Sequence, residues 1–363
     1  MPGFETQSHQ EFLKQTHFGS LDGLRAISIL LVIAHHARGP TSWPIAENGR
    51  LGVQLFFAIS GFLITTLMLR EQRRSNGINL RNFYIRRTLR IFPLYYSVLL
   101  VYCALVFVAE TGTLRGQEFW SNLPAFATYT SNLFVREKLG EFPIFFFAWS
   151  LAAEEQFYLT WPWVQKLLQE KARVGILAGL LVVKLLIQPF ISPLSWMNDF
   201  ILLRLVDRIP ITILLGVLAA HALNRPRGYS ALKLALGGRW AAPVILGSMI
   251  ALLSNIEISG RVSAALVSLP LAALVVACVV REDNGLSRLL KTPVLVRVGA
   301  ISYGLYMLHM IALNLSKGML TRVGLHHPSL KLLLGLGLAC FMAEISHRTL
   351  ERYFLSLKTR FGA

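Results

Sequence analysis

The sequence predicts an all-α, polytopic integral membrane protein, a helical bundle of about ten transmembrane helices. Three observations predict it. Hydrophobic residues make up 54% and charged residues only 15% of the 363, and the mean hydropathy is +0.53. That balance is far more apolar than a soluble domain tolerates. The apolar residues also gather into segments of about membrane-spanning length. Finally, Lys and Arg concentrate in alternate connections between those segments.

In chain order the segments are Leu24–Ala37, Leu51–Leu69, Ile91–Val108, Phe145–Trp163, Val174–Phe190, Leu205–Leu223, Ala241–Ile256, Val262–Val280, Val298–Leu315 and Leu330–Ile345. The first is short, and Leu21 extends it. No internal repeat or low-complexity tract divides the chain, so residues 1–363 read as a single transmembrane domain with short tails. The stretch before Leu21 is polar, with Glu5, Glu11 and Lys14, and carries no secretory signal. Cys103, Cys278 and Cys340 all lie in apolar runs, which points to packing rather than to disulfides or a metal site. With the N-terminus inside, about two in three of the 36 Lys and Arg fall on the inner side. Both termini are therefore expected in the cytoplasm. The net charge of +17 follows from that asymmetry and calls for no nucleic acid.

Within this frame some polar residues stand out. Arg25 and His36 lie eleven residues apart in one apolar run; a helix returns to within about 20° over that interval and rises about 16 Å. Both groups would line one stripe, whereas His35 falls one residue off it. At about 1.5 Å per residue, His36, Ser60, Glu154, Glu155 and His309 all come roughly 12 to 17 Å below the outer surface. Buried hydrogen bonds between helices, each worth about 0.6 to 2 kcal/mol, explain any one of these alone. Two histidines and two carboxylates at one depth point instead to a site. Ser302, Tyr306 and His309 share a helix face at spacings of four and three. Trp149, Trp161, Trp163, Trp196 and Tyr158, near span ends, read as an aromatic belt.

These residues also carry a family resemblance. Leu21-Asp22-Gly23-Leu24-Arg25-Ala26 with His36, the run Gly52 to Leu63 around Ser60, and Phe83 to Pro93 with Arg86, Arg87 and Arg90 resemble the first three motif blocks of the acyltransferase-3 family of integral-membrane acyltransferases. Trp149 to Tyr158, with Glu154 and Glu155, and Ser302 to His309 resemble the last two. Between Lys166 and Val298 the similarity is loose, around Asp207, Arg208 and Gly216.

The resemblance implies transfer of an acyl group, with acetyl-CoA the expected donor substrate, to a hydroxyl. Such enzymes modify bacterial surface sugars, Nod factors and some macrolides. The implied partners are a glycan, glycolipid or small hydroxylated acceptor and the lipid bilayer of the cell membrane; no bound cofactor and no metal are implied. Family members of this length lack an extra extracytoplasmic hydrolase-like domain, and none is expected here. The catalytic residues implied are His36, Glu154 and Glu155. A neutral histidine is suited to take a hydroxyl proton at physiological pH. Either carboxylate would orient His36 or stabilise its imidazolium, and an alternative has His36 carrying the acyl group covalently. Arg25, Arg86, Arg87 and Arg90 are the expected donor-binding cations, with Arg86 and Arg90 one helical turn apart. The same arginine-rich loop could equally serve only topology and contact with anionic headgroups. Ser60, Ser302, Tyr306 and His309 are expected to bind acceptor or support the site. A transporter or flippase for a glycan or lipid is the rival reading, although inverted repeats and broken helices are not visible in the sequence.

Overall fold

The computed structural model describes residues 8–37, 49–135, 143–187, 201–255 and 262–361, and among them every regular element is helical. The helices used below are α1 (His9–Lys14), α2 (Gly19–His36), α3 (Arg50–Ser75), α4 (Leu80–Ala109), α5 (Leu114–Ala127), α6 (Trp149–Leu167), α7 (Glu170–Val182), α8 (Ile201–Arg208) and α9 (Ile211–Leu223). They continue with α10 (Pro226–Leu236), α11 (Ala241–Asn255), α12 (Val262–Val280), α13 (Pro293–Ala300), α14 (Ser302–Arg322), α15 (Pro328–Ser346) and α16 (Arg352–Lys358). The outer ends of two expected spans, Phe190 and Ile256, lie outside the described residues.

Each apolar segment holds a helix, yet the expected count of about ten spans is not reached by length and composition. Among the described residues three helices qualify, namely α3, α4 and the continuous run Pro328–Lys358, or up to five if two bent pairs each count as one span. The shortfall has physical causes. In α2, Asp22, Arg25, His35 and His36 dilute the apolar run, and in α6 Glu154, Glu155, Gln156 and Lys166 do the same. The residues that build the site thus lower the hydropathy of its helices. Helix α9 is apolar but short, and Pro210 separates it from α8; proline cannot donate the backbone bond that continuity requires.

The two bent pairs correct the expectation that no helix is broken. Pro226–Leu236 and Ala241–Leu252 meet at 62°, and Pro293–Ala300 and Ser302–Arg322 at 78°. No proline marks the second break, which lies at Ile301. There Gly299 sits so close to the Asp22 carbonyl of α2 that a Cβ would collide with it. The bend thus coincides with a close approach of α13 to α2.

Helices α3 and α9 approach closely for a similar reason. A Cβ on Gly61 would meet the Ile213 carbonyl, and one on Gly216 the Ala58 carbonyl. Small residues let membrane helices gain dispersion contact where apolar lipid supplies no hydrophobic drive. On the outer faces the pattern inverts: Leu100 is 68%, Phe107 68% and Val108 82% exposed along α4, as expected of a lipid-facing surface. At the N-terminal end Arg70 is buried, donates to the Phe12 carbonyl at 3.0 Å and to that of Gln15, and lies over the rings of Phe12 and Phe18. It ties α1 to the bundle.

Candidate active site

Helices α2, α3, α4, α6 and α14 enclose a cavity of about 690 Å³, its open mouth included. Helical periodicity explains which side chains reach it. Arg87 and Arg90, three residues apart on α4, share one stripe, and so do Glu154 and Tyr158 on α6 and Ser302 and Tyr306 on α14, each pair four apart. Arg25 enters from α2 and Ser60 from α3.

Glu154 is the carboxylate of this lining, and its Oε1 accepts from both the Ser60 hydroxyl and the Tyr158 hydroxyl. The Arg87 guanidinium lies over the Tyr158 ring, 5.0 Å from its centre. The Glu154 charge acts on Arg25 and on Arg87. Three guanidinium groups thus share the lining with one carboxylate, while Asp22, Glu155 and Glu351 act on them from outside it. Clustered cations of this kind attract an anion.

A second constellation adjoins it through Tyr306. The Tyr306 hydroxyl donates to the Phe147 carbonyl at 2.6 Å and accepts from Ser150 at 2.6 Å, which fixes the ring in the cavity wall. One turn on, His309 Nδ1 donates to the Tyr306 carbonyl at 2.6 Å. Its Nε2 is therefore the acceptor nitrogen of a neutral ring, and it lies 3.3 Å from His36 Nδ1. His36 Nδ1 also lies 2.9 Å from the Val32 carbonyl, so its proton is shared between the two acceptors. This hydrogen-bond pattern assigns the Nδ1–H tautomer to His36 and leaves Nε2 as its basic nitrogen. The two imidazoles have ring centres 4.9 Å apart, and Phe147 packs edge-on against His309 at 5.3 Å.

The structure thus divides the residues singled out in the sequence. Arg25, Ser60, Arg87, Arg90, Glu154, Ser302 and Tyr306 line the cavity, while His36 and His309 form the adjoining pair. His35 faces elsewhere, against Gly49. Arg86 does not join Arg87 and Arg90: it donates to the Phe361 carbonyl at 2.9 Å and pairs with Glu71 at 3.6 Å. Of the carboxylates expected beside His36, Glu154 accepts from Ser60 and Tyr158, while the His36 ring meets His309. Glu155 is not among the lining residues, and its buried Oε1 has no hydrogen-bond partner among the described residues.

The aromatic-belt reading also needs correction. Tyr158 is buried in the site, and Trp161 is buried with its indole N–H donating to Thr65 at 2.9 Å. Trp163, at 48% exposed, keeps the belt position, and Trp196 lies outside the described residues. The signal missed was local: Tyr158 is four residues from Glu154 on one helix.

The family profile described as an acyltransferase domain matches residues 18–343, which include every helix of the site. The chain belongs to the acyltransferase-3 family. A relative from Staphylococcus aureus (strain COL), provisionally named an O-acetyltransferase, is 27% identical over 369 residues, covering 96% of this chain and 59% of its own. The peptidoglycan O-acetyltransferase OatA of Listeria monocytogenes serovar 1/2a is 37% identical over 153 residues, 39% of this chain and 23% of its own. YrhL of Bacillus subtilis (strain 168), provisionally named a peptidoglycan O-acetyltransferase, is 28% identical over 379 residues, 96% of this chain and 55% of its own. The acyltransferase-3 chain described here therefore spans about three-fifths of the length of the curated relatives it matches. No solved structure matches it.

Proposed function

We propose that this acyltransferase-3 chain is a membrane O-acetyltransferase that moves an acetyl group from acetyl-CoA to a carbohydrate hydroxyl. The observation that carries the reading is the cavity in which Arg25, Arg87 and Arg90 face Glu154, joined through Tyr306 to the His36–His309 pair. The donor's phosphates meet the guanidinium groups, whose planar forks suit them. Arg25 and His36 lie eleven positions apart on α2, a rise of about 16 Å. A pantetheine arm is long enough to bridge that interval, so phosphates at Arg25 bring the thioester to the histidines.

His36 acts as general base through Nε2. It takes the acceptor hydroxyl's proton as the new C–O bond forms; the C–S bond then breaks, and the departing thiolate recovers the proton as CoA-SH. His309 holds the His36 ring and its tautomer, and Glu154 holds Ser60 and Tyr158 while offsetting part of the arginine charge. The names of OatA and YrhL support a cell-wall carbohydrate as the acceptor class.

The whole chain, residues 1–363, is read as one transmembrane domain in the cell membrane with both tails cytoplasmic, so that the arginine end of the cavity faces the acyl-CoA pool. Reporter fusions after Asn48, Gly77 and Ala363 are expected to read outside, inside and inside; an inside reading at Asn48 rejects this orientation. For the activity, mass spectrometry of cell-wall glycans from cells with and without the protein is expected to show an acetyl mass difference removed by mild base. Identical spectra across glycans, lipids and small hydroxylated metabolites would overturn the proposal.

A further inference from the structure

The segment after α15 packs on the arginine helix. Helix α16 and the turn that follows it lie against α4, and Arg86 of α4 fastens that turn by donating to the Phe361 carbonyl at 2.9 Å. This places Lys358, the last residue of α16, beside the cations of α4. The side chain is half-buried. The charges that act on it are those of Arg90, Arg87 and Arg86, and no carboxylate pairs with it among the described residues. Nearby acids are otherwise engaged: Glu71 pairs with Arg86, and Glu351 accepts from Ser346 and faces His347.

A flexible lysine at a helix end ordinarily swings its ammonium into water and away from like charge. Here one is partly desolvated, on a helix packed against the arginine helix and within the field of Arg90, Arg87 and Arg86, two of which line the cavity. A multiply charged anion would offset that repulsion. We propose that α16 forms one wall of the donor site and that Lys358 binds phosphate of the acyl-CoA donor together with Arg87 and Arg90. This rests on the acyl-CoA reading above. An ammonium supplies a point charge beside the bidentate forks of arginine, a combination suited to a donor carrying several phosphates.

The same chemistry is offered by an anionic lipid headgroup, and the test separates the two sources. The full chain is placed in phosphatidylcholine nanodiscs and titrated with CoA and, as a phosphate-free control, with pantetheine; the series is repeated with phosphatidylglycerol present. Lys358→Gln is expected to raise the Kd for CoA about tenfold in phosphatidylcholine, with pantetheine binding unchanged and Lys358→Arg close to the parent. Normal CoA binding by Lys358→Gln, with loss of it in Arg87→Gln/Arg90→Gln, overturns the α16 wall and leaves the donor reading standing. An effect confined to phosphatidylglycerol discs assigns Lys358 to the lipid and also overturns it. If no arginine or lysine variant alters CoA binding, the donor reading falls too.

Discussion

Replacing His36 by alanine is expected to lower acyl transfer by at least about 10²-fold while the protein still inserts and folds, because general-base catalysis is worth about 10² to 10⁴. The neighbouring His35→Ala should cost far less, since that ring lies against Gly49 and outside the His36–His309 pair. Steady-state rates on purified variants, with matched melting profiles, make the comparison. Loss in kcat with little change in donor KM is the expected pattern for a group that acts on the reacting hydroxyl. A purified His36→Ala enzyme at parent rate would leave His309 as the next group to examine.

The second large effect concerns the donor. In Arg87→Gln/Arg90→Gln two charge-assisted contacts of about 1.5–3 kcal/mol each are removed, so kcat/KM for acetyl-CoA should fall by 10²-fold or more. Those cations are remote from the breaking bond, and the loss is expected mainly in donor KM. Arg86→Gln, by contrast, touches Glu71 and the Phe361 carbonyl rather than the cavity. Its direct effect on donor KM should be smaller than that of the double variant. Equal effects from Arg86 and from the Arg87/Arg90 pair would mean that the cavity does not sort these arginines as described.

How much of this was legible in the sequence depends on the range of each interaction. The Arg25 to His36 spacing lies within one helix, and intramembrane charge is rare enough to draw attention to Glu154 and His309 without a fold. Which of two adjacent arginines faces the cavity was not legible. The i, i+4 spacing favoured Arg86 with Arg90, but Glu71 on another helix and the chain near Phe361 draw Arg86 away. The pairing of His36 with His309 joins residues on α2 and α14, and only the tertiary fold brings them together. Glu154, expected beside His36, accepts from Ser60 and Tyr158 on this fold. The bend at Ile301 carries no proline and lies beside the close approach of Gly299 to α2, which only the tertiary fold reveals. Tyr158, in contrast, is legible from its spacing to Glu154, although its place near a span end suggests an interfacial belt.

On the proposed reading, the arginine cavity takes an acetyl-CoA donor and the acetyl group leaves as an ester. The most direct measurement supplies membranes containing the protein with acetyl-CoA labelled in the acetyl group and follows label into base-labile esters of cell-wall glycan. Labelled ester is expected from the parent protein and is expected to be lost in both His36→Ala and Arg87→Gln/Arg90→Gln. Ester formation that is undiminished in both variants, or glycan that stays unlabelled while the same membranes export or flip it, would contradict it.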